Sequence, residues 1–431
     1  MARMPVGPRP PNSGAHGLGL AAILAAVAAL GATGLAQERP KVLVTSPTQR
    51  QAYLATAILW EDRELPSPAR IVEGRGTPAS GGRADLNPPG GLPCTWESGG
   101  AQMGGNTPKF TCRTANRRLL RVKYYDGQPR TGNREVFAEV VAVRLFWALG
   151  FPSDIVLPLT VQCLECPENP MAGTGPRATR TFLGVTEPAF RGTPILSSAN
   201  ADQGWQFGEL DAAITALPPG ADRDRQRIHF DALSLLGAFV QHGDRKPAQQ
   251  RLVCAEALDL SAGDVHPLDA RPLGVAALFE HPGARACRAP LAMIQDLGAT
   301  FGSSGKGTIR TGKIDLGRWA MRPVFLPPAE DPDRNVRGCR ADVTPALDAG
   351  PGARANPRIG EAGRRFLVER LQRLTDDHLR ALFTAARVEA LGEPLAWTAP
   401  GTRKSYTGLD AWVEAFKYKR EQLALVRCGQ G

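Results

Sequence analysis

An uninterrupted run of apolar and small residues, Leu18 to Ala36, is preceded by Arg3 and Arg9 and followed at once by Gln37, Glu38 and Arg39. A positive start, an apolar middle and small residues at Gly34 and Ala36 form the pattern of a secretory signal peptide over 1–36, cut after Ala36. The expected consequence is export, periplasmic or secreted. An uncleaved N-terminal anchor is the alternative, since the run is close to the ~20 residues a span requires. No other stretch approaches that length, so no membrane span is expected in the mature chain.

After the cut, period-two and helical patterns alternate. Lys41-Val-Leu-Val-Thr45 is strand-like, and a helix-like run follows around Gln51 to Leu59. The tract from Gly74 to Gly105 is rich in Gly, Pro and Ser. Strand patterns follow at Lys109 to Cys112 and Leu119 to Tyr125, with a turn over Arg113 to Arg118. Glu135 to Leu149 carries Val136, Glu139, Val140, Val143, Phe146 and Trp147 at helical spacing and meets Gly150, where a C-terminal glycine stops a helix. An apolar strand, Ile155 to Val161, comes next, then a loop-dominated segment from Pro167 to Gly220. A second helix, Arg225 to Val240, breaks at the polar cluster His242-Gly-Asp-Arg-Lys-Pro247. Strands at 251–254 and 291–294 bracket an insertion at about 255–290. Beyond Asp331, helices are predicted near 360–374 and 376–390, the second capped by Thr375, and a last one, Leu409 to Val426, is basic on one face.

Composition refines this picture in two ways. Eight cysteines, all beyond the proposed cut, point to disulfides in an oxidising compartment. Cys94 with Cys112 and Cys254 with Cys287 flank short segments that a local bridge would staple. Cys163-Leu-Glu-Cys166 is open to three readings: a local disulfide, half of a zinc site or a redox pair. The net charge of +10 falls to +8 without Arg3 and Arg9. The remaining excess is spread over loops and the final helix, so no nucleic-acid partner is favoured.

The candidate chemistry lies in the order of four features. The turn Ser98-Gly-Gly-Ala-Gln-Met-Gly-Gly105 lets backbone approach phosphates, and Lys109 follows it. Lys123 lies on a strand among apolar neighbours. Glu139 lies on the buried stripe of its helix, a better partner for Lys123 than Glu135, which suits the helix N-terminus. Two aspartates, Asp244 and Asp296, each sit next to an apolar element. Phosphoryl transfer uses these parts: a phosphate cradle, lysines, carboxylates for Mg2+, and one carboxylate to orient the attacking hydroxyl. Nucleophile-elbow and zincin motifs are absent from the sequence.

The segment His242-Gly-Asp244-Arg-Lys246-Pro-Ala-Gln249 resembles the protein-kinase catalytic loop H-R-D-x-K-P-x-N, and Ile294-Gln-Asp296-Leu-Gly298 resembles the D-F-G motif. The turn Gly104-Gly-Asn-Thr-Pro-Lys109 is similar to the G-x-Q-P-K loop of HipA toxin kinases. Asp244-Arg245 is similar to the catalytic loops of phosphoinositide kinases and secretory-pathway casein kinases. The chain also resembles a group of exported bacterial proteins sharing the helix, the Cys-x-x-Cys and the Asp-Leu-Gly segment.

This resemblance, covering roughly Gly99 to Gly302, implies an α+β, bilobal protein-kinase-like fold. A small antiparallel-sheet N-lobe over 37–160 would be followed by a larger, mainly helical C-lobe over 161–431, with disulfide staples. It implies ATP with Mg2+, or Mn2+, as cofactors and a hydroxyl-bearing acceptor. Gly99, Gly100, Gly104, Gly105 and Lys109 would cover the phosphates, and Lys123, oriented by Glu139, would bind the α/β-phosphates. Asp244 would orient the acceptor, Lys246 would neutralise γ-phosphate charge, and Asp296 with Gln249 would hold the metal. Gln249 stands where the family has Asn, one methylene longer. The alternatives are a nucleotide-binding pseudokinase, a transferase moving AMP, and a disulfide-stabilised envelope binding module without catalysis.

Overall fold

The computed structural model describes residues 43–75, 88–100, 107–125, 127, 134–187, 193–197, 204–254, 287–302, 314–327, 339–343, 356–391 and 396–429. The proposed signal peptide, most of the 255–290 insertion, and Gly104 and Gly105 lie outside them.

Strand β1 (Leu43–Thr45) leads into helix α1 (Pro47–Ala55). Ser46 caps α1, with Gln49 answering back to the cap and Pro47 in the first turn, so the helix starts before the expected Gln51. A short α2 (Pro68–Glu73) follows.

Five strands, β2 (Leu92–Gly99), β3 (Lys109–Thr114), β4 (Leu119–Tyr125), β5 (Leu157–Asn169) and β6 (Thr174–Thr186), close into a barrel in the order β2-β3-β4-β6-β5. Every pair is antiparallel except β2 with β5, whose parallel pairing closes the barrel. The expected sheet is therefore present but neither wholly antiparallel nor confined to 37–160: it runs on to Thr186. Phe110, Val122, Tyr124, Leu159 and Val161 fill its interior. Between β4 and β5 in sequence, α3 (Glu135–Ala148) is buried along its whole length rather than on one stripe, so it is a core helix.

The segment 167–220, expected to be loop-dominated, instead holds the rest of the β5–β6 hairpin, β7 (Thr193–Ser197) and α4 (Phe207–Thr215). Helix α5 (Ala221–Phe239) then leads to β8 (Gln250–Cys254) and β9 (Pro290–Ile294), which complete a second sheet ordered β1-β7-β8-β9. After α6 (Leu316–Met321) come the two-residue strands β10 (Cys339–Arg340) and β11 (Arg358–Ile359). The chain ends with α7 (Glu361–Gln372), α8 (Asp376–Ala385), the hairpin β12 (Ala396–Thr398) and β13 (Ser405–Thr407), and α9 (Gly408–Leu425). Thr375 caps α8 as expected.

Phe239, Phe301, Trp319, Phe383, Trp412 and Phe416 pack together where α5, α6, α8 and α9 meet. Lys419 enters this core from α9 and donates to the carbonyls of Trp319 (2.8 Å) and Arg322 (2.7 Å), so the end of α6 is hydrogen-bonded inside the protein.

All eight cysteines are paired, as Cys94–Cys112, Cys163–Cys166, Cys254–Cys287 and Cys339–Cys428. The Cys163/Cys166 pair is thus a local disulfide on β5. The last bridge ties the segment after α9 back to β10 across 89 residues. Among the described residues, no helix is long and apolar enough to cross a membrane.

Candidate functional site

Lys123 projects from the outer face of β4, because the alternating positions Leu120, Val122 and Tyr124 point into the barrel. Facing it, Glu139 comes from the middle of α3, and the Lys123 ammonium donates to its Oε1 at 2.8 Å. Both side chains are buried. The expected strand-to-helix ion pair is present. Lys109 is directly opposite Lys123 in the β3–β4 ladder.

The two aspartates are brought together by strand register. Gln250 pairs with Ile294 at the start of the β8–β9 ladder, and the Gln295 N–H donates to the Gln249 carbonyl at 2.8 Å. Gly243 donates to the Ala299 carbonyl (2.7 Å) and Phe301 to that of Val240 (2.7 Å), stitching the loop after α5 to the loop after β9. Asp296 therefore lies beside Asp244, although 52 positions separate them in the chain.

Gln249 joins the pair through its side chain, whose Nε2 donates to Asp296 Oδ2 (2.8 Å) and Asp244 Oδ2 (3.1 Å). Lys246 donates to the same Asp244 oxygen at 2.9 Å. The other Asp296 oxygen, Oδ1, accepts from Lys123 at 3.2 Å. One connected cluster thus contains Lys123, Glu139, Asp244, Lys246, Gln249 and Asp296.

Two further carboxylates and one amide belong to this neighbourhood and were not picked out from sequence. Glu187, immediately after β6, also pairs with Lys123. Asp154, between α3 and β5, accepts from Gln295 Nε2 at 2.9 Å, just ahead of Asp296. Glu187 lies within the 167–220 segment, whose sequence pattern reads as loop, and Asp154 follows Pro152-Ser153, which signals a turn and nothing more.

Glycines at the site have packing roles. A Cβ on Gly100 would lie 2.2 Å from Lys109 Cγ and 2.3 Å from the Lys109 carbonyl oxygen, and one on Gly99 would lie 2.3 Å from the Met171 carbonyl oxygen. Close backbone approach within the barrel explains both. Gly298 lies against Glu135, where a Cβ would meet the Glu135 Cβ at 3.2 Å. Glu135 itself accepts from Thr107 at the head of α3.

Burial and charge set the protonation pattern. Burial would lower the Lys123 ammonium, but Glu139, Asp296 and Glu187 together raise it well above its ordinary range. Burial would raise Asp296, yet Lys123, Lys109 and Lys246 hold it below the usual carboxylate range. Glu139, the most enclosed carboxyl, is pushed well up by burial, despite Lys123. Lys109 is lowered by burial and by the neighbouring Lys123 and Arg121 charges. Burial pushes Asp154 up to about 7. Beside Asp244, burial lowers His242 to about 3, so its ring is neutral at pH 7, and Arg245 stacks 3.7 Å from the Phe207 ring.

The described residues contain no group of three His, Cys, Asp or Glu arranged to hold a metal. The donor set still suits Mg2+, which commonly takes one or two carboxylates and completes its shell with phosphate oxygens and water. Asp296 supplies one such carboxylate, with the Gln249 side-chain amide 2.8 Å from it, and Asp244 Oδ1, buried without a hydrogen-bond partner among the described residues, is an acceptor left open beside them.

No protein-family model and no curated protein sequence matches this chain. Among solved structures it is similar to the crystal structure of the Helicobacter pylori proinflammatory kinase CtkA, at 10% identity and a TM-score of 0.32 over 75% of this chain and 89% of that one. A likeness that slight decides nothing about fold or chemistry.

Proposed function

We propose that the chain is a protein-kinase-like phosphotransferase that moves the γ-phosphate of ATP to a hydroxyl acceptor with the help of Mg2+. The observation that carries this reading is the Lys123–Glu139 pair sharing one cluster with Asp296, which Gln249 links to Asp244. Four separate elements supply these residues, in the chain order of the protein-kinase motifs that the sequence resembles, and they provide the parts that phosphoryl transfer uses.

In this reading Lys123 holds the α/β-phosphates while Glu139 keeps its ammonium from swinging away. Lys109, across the ladder, adds positive charge on the same face. Asp296 and Gln249 are the residues that would hold Mg2+, which when bound neutralises charge developing on the phosphates. Asp244 accepts a hydrogen bond from the acceptor hydroxyl and orients it. Lys246, already on Asp244, offsets charge on the transferred group. Gln249 must turn its amide to present oxygen to a metal, because its N–H bonds now serve the two aspartates.

A second reading, a nucleotide-binding module without catalysis, is favoured by that same Gln249 geometry and by Glu187 occupying Lys123. The exported setting is part of the proposal and is supported by the four disulfides. Parallel reactions with α- and γ-labelled ATP test the reading: label transferred from the γ position alone supports it. Transfer from the α position would mean that AMP moves, and binding without transfer would favour the non-catalytic module.

A further inference from the structure

Asp296 stands in the left-handed region with φ 48°, a conformation unfavourable for a residue bearing a Cβ, although Asp tolerates it better than most. Something must hold it there. On one side the Gln295 N–H is fixed to the Gln249 carbonyl. On the other, the junction between α3 and β5 runs alongside: Ile294 N–H donates to the Pro152 carbonyl and Asp154 N–H to the Ile294 carbonyl, each at 3.2 Å. The Asp154 side chain then reaches forward, accepting from Gln295 Nε2 at 2.9 Å, with the Asp296 backbone N–H facing the same carboxylate. Arg75, half-buried after α2, lies close enough to Asp154 for the carboxylate's charge to act on its guanidinium.

Resting on the site reading above, we infer that Asp154 is a positioning residue. By gripping the Gln295 side chain and the Asp296 peptide, it holds Asp296 in the conformation that points one oxygen at Lys123 and the other at Gln249. The grip extends from the α3–β5 junction, so the helix that supplies Glu139 also sets the orientation of the metal-binding aspartate. A residue that filled space alone would not need an acceptor at this point. A carboxylate does, because the Gln295 amide and the Asp296 N–H both present donors.

The test uses the whole disulfide-bonded chain with Asp154→Ala and Asp154→Asn. Amide hydrogen exchange without ligand is followed at residues 295–298, and Mn2+ with a non-hydrolysable ATP analogue is titrated calorimetrically. Asp154→Ala is expected to lose protection at 295–298, with protection elsewhere unchanged, and to bind the Mn2+–nucleotide about tenfold more weakly. Asp154→Asn keeps an acceptor oxygen and is expected to stay within about threefold of wild type in both measurements. Unchanged exchange in Asp154→Ala, or equal losses in the Ala and Asn variants, would overturn the inference. So would unchanged nucleotide affinity in Asp154→Ala where the wild type binds. A wild type that takes up no Mn2+–nucleotide would refute the phosphotransfer reading, and the exchange measurement alone would then decide on Asp154.

Discussion

Removing the charge of Glu139 should harm function far more than stability, and the local geometry gives the reason. Glu139 lies 2.8 Å and Asp296 3.2 Å from the Lys123 ammonium, so the two carboxylates are at most about 6 Å apart, with Glu187 on the same ammonium. At an effective dielectric near 20, the Lys123–Glu139 attraction is about 6 kcal/mol, and each like-charge pair at about 6 Å repels by roughly 3 kcal/mol. Two such repulsions offset the attraction. Burial also pushes the Glu139 carboxyl up, so the fold holds its ionised form less readily than water does, and neutral Gln removes that cost along with the attraction.

Glu139→Gln is therefore expected to change the unfolding free energy by less than about 1 kcal/mol. Lys123→Met removes the cation shared by three carboxylates and is expected to cost about 3–5 kcal/mol, as for one broken partner of a buried pair. Urea denaturation with disulfides intact measures both, and both variants should lose phosphate transfer. A Glu139→Gln variant destabilised by more than about 3 kcal/mol, or a Lys123→Met variant as stable as wild type, would refute the charge arithmetic.

Three other outcomes can be checked on the same material. Burial raises Asp231 from 3.8 to about 7, so its contribution to stability is whole below pH 3.8 and is lost as pH rises through 7. Asp231→Asn, which keeps an acceptor for the Gly360 N–H, should match wild type in thermal melts near pH 4 and exceed it by about 1–3 kcal/mol at pH 8. Opening the Cys339–Cys428 bridge by a double Ser substitution should cost about 4–5 kcal/mol in denaturant, from the loop entropy of 89 residues. Gly100→Ala forces a Cβ onto the Lys109 backbone and should lower the melting temperature even with no nucleotide present, which separates its packing role from any phosphate contact.

Much of the site was legible because its parts sit on elements with strong local signals. The helical spacing of Val136, Val140, Val143, Phe146 and Trp147 before Gly150 marks α3, and the strand on either side of Lys123 is apolar enough to make a lysine there conspicuous. The order of Asp244, Gln249 and Asp296 around two apolar strands also survives in the structure, because β8–β9 register sets their juxtaposition.

The far half of the β5–β6 hairpin was not legible. From Thr174 to Thr181 its residues are exposed or nearly so on both faces, which removes the alternation that identifies a half-buried strand and leaves Gly, Pro, Thr and Arg to read as loop. Glu187 was missed with it. Asp154 carries no pattern of its own, since its meaning comes from the register that brings Gln295 alongside. The direction of the Gln249 amide is likewise settled by its two acceptors in space and not by its place in a motif.

The most direct test of the site is a crystal structure of the chain with Mn2+ and a non-hydrolysable ATP analogue, with the metal located by its anomalous scattering. The expected result is a Mn2+ peak on Asp296 with phosphates beside Lys123 and the γ-phosphate facing Asp244. A metal bound elsewhere, or nucleotide phosphates away from Lys123, would contradict a phosphotransfer site built on these residues.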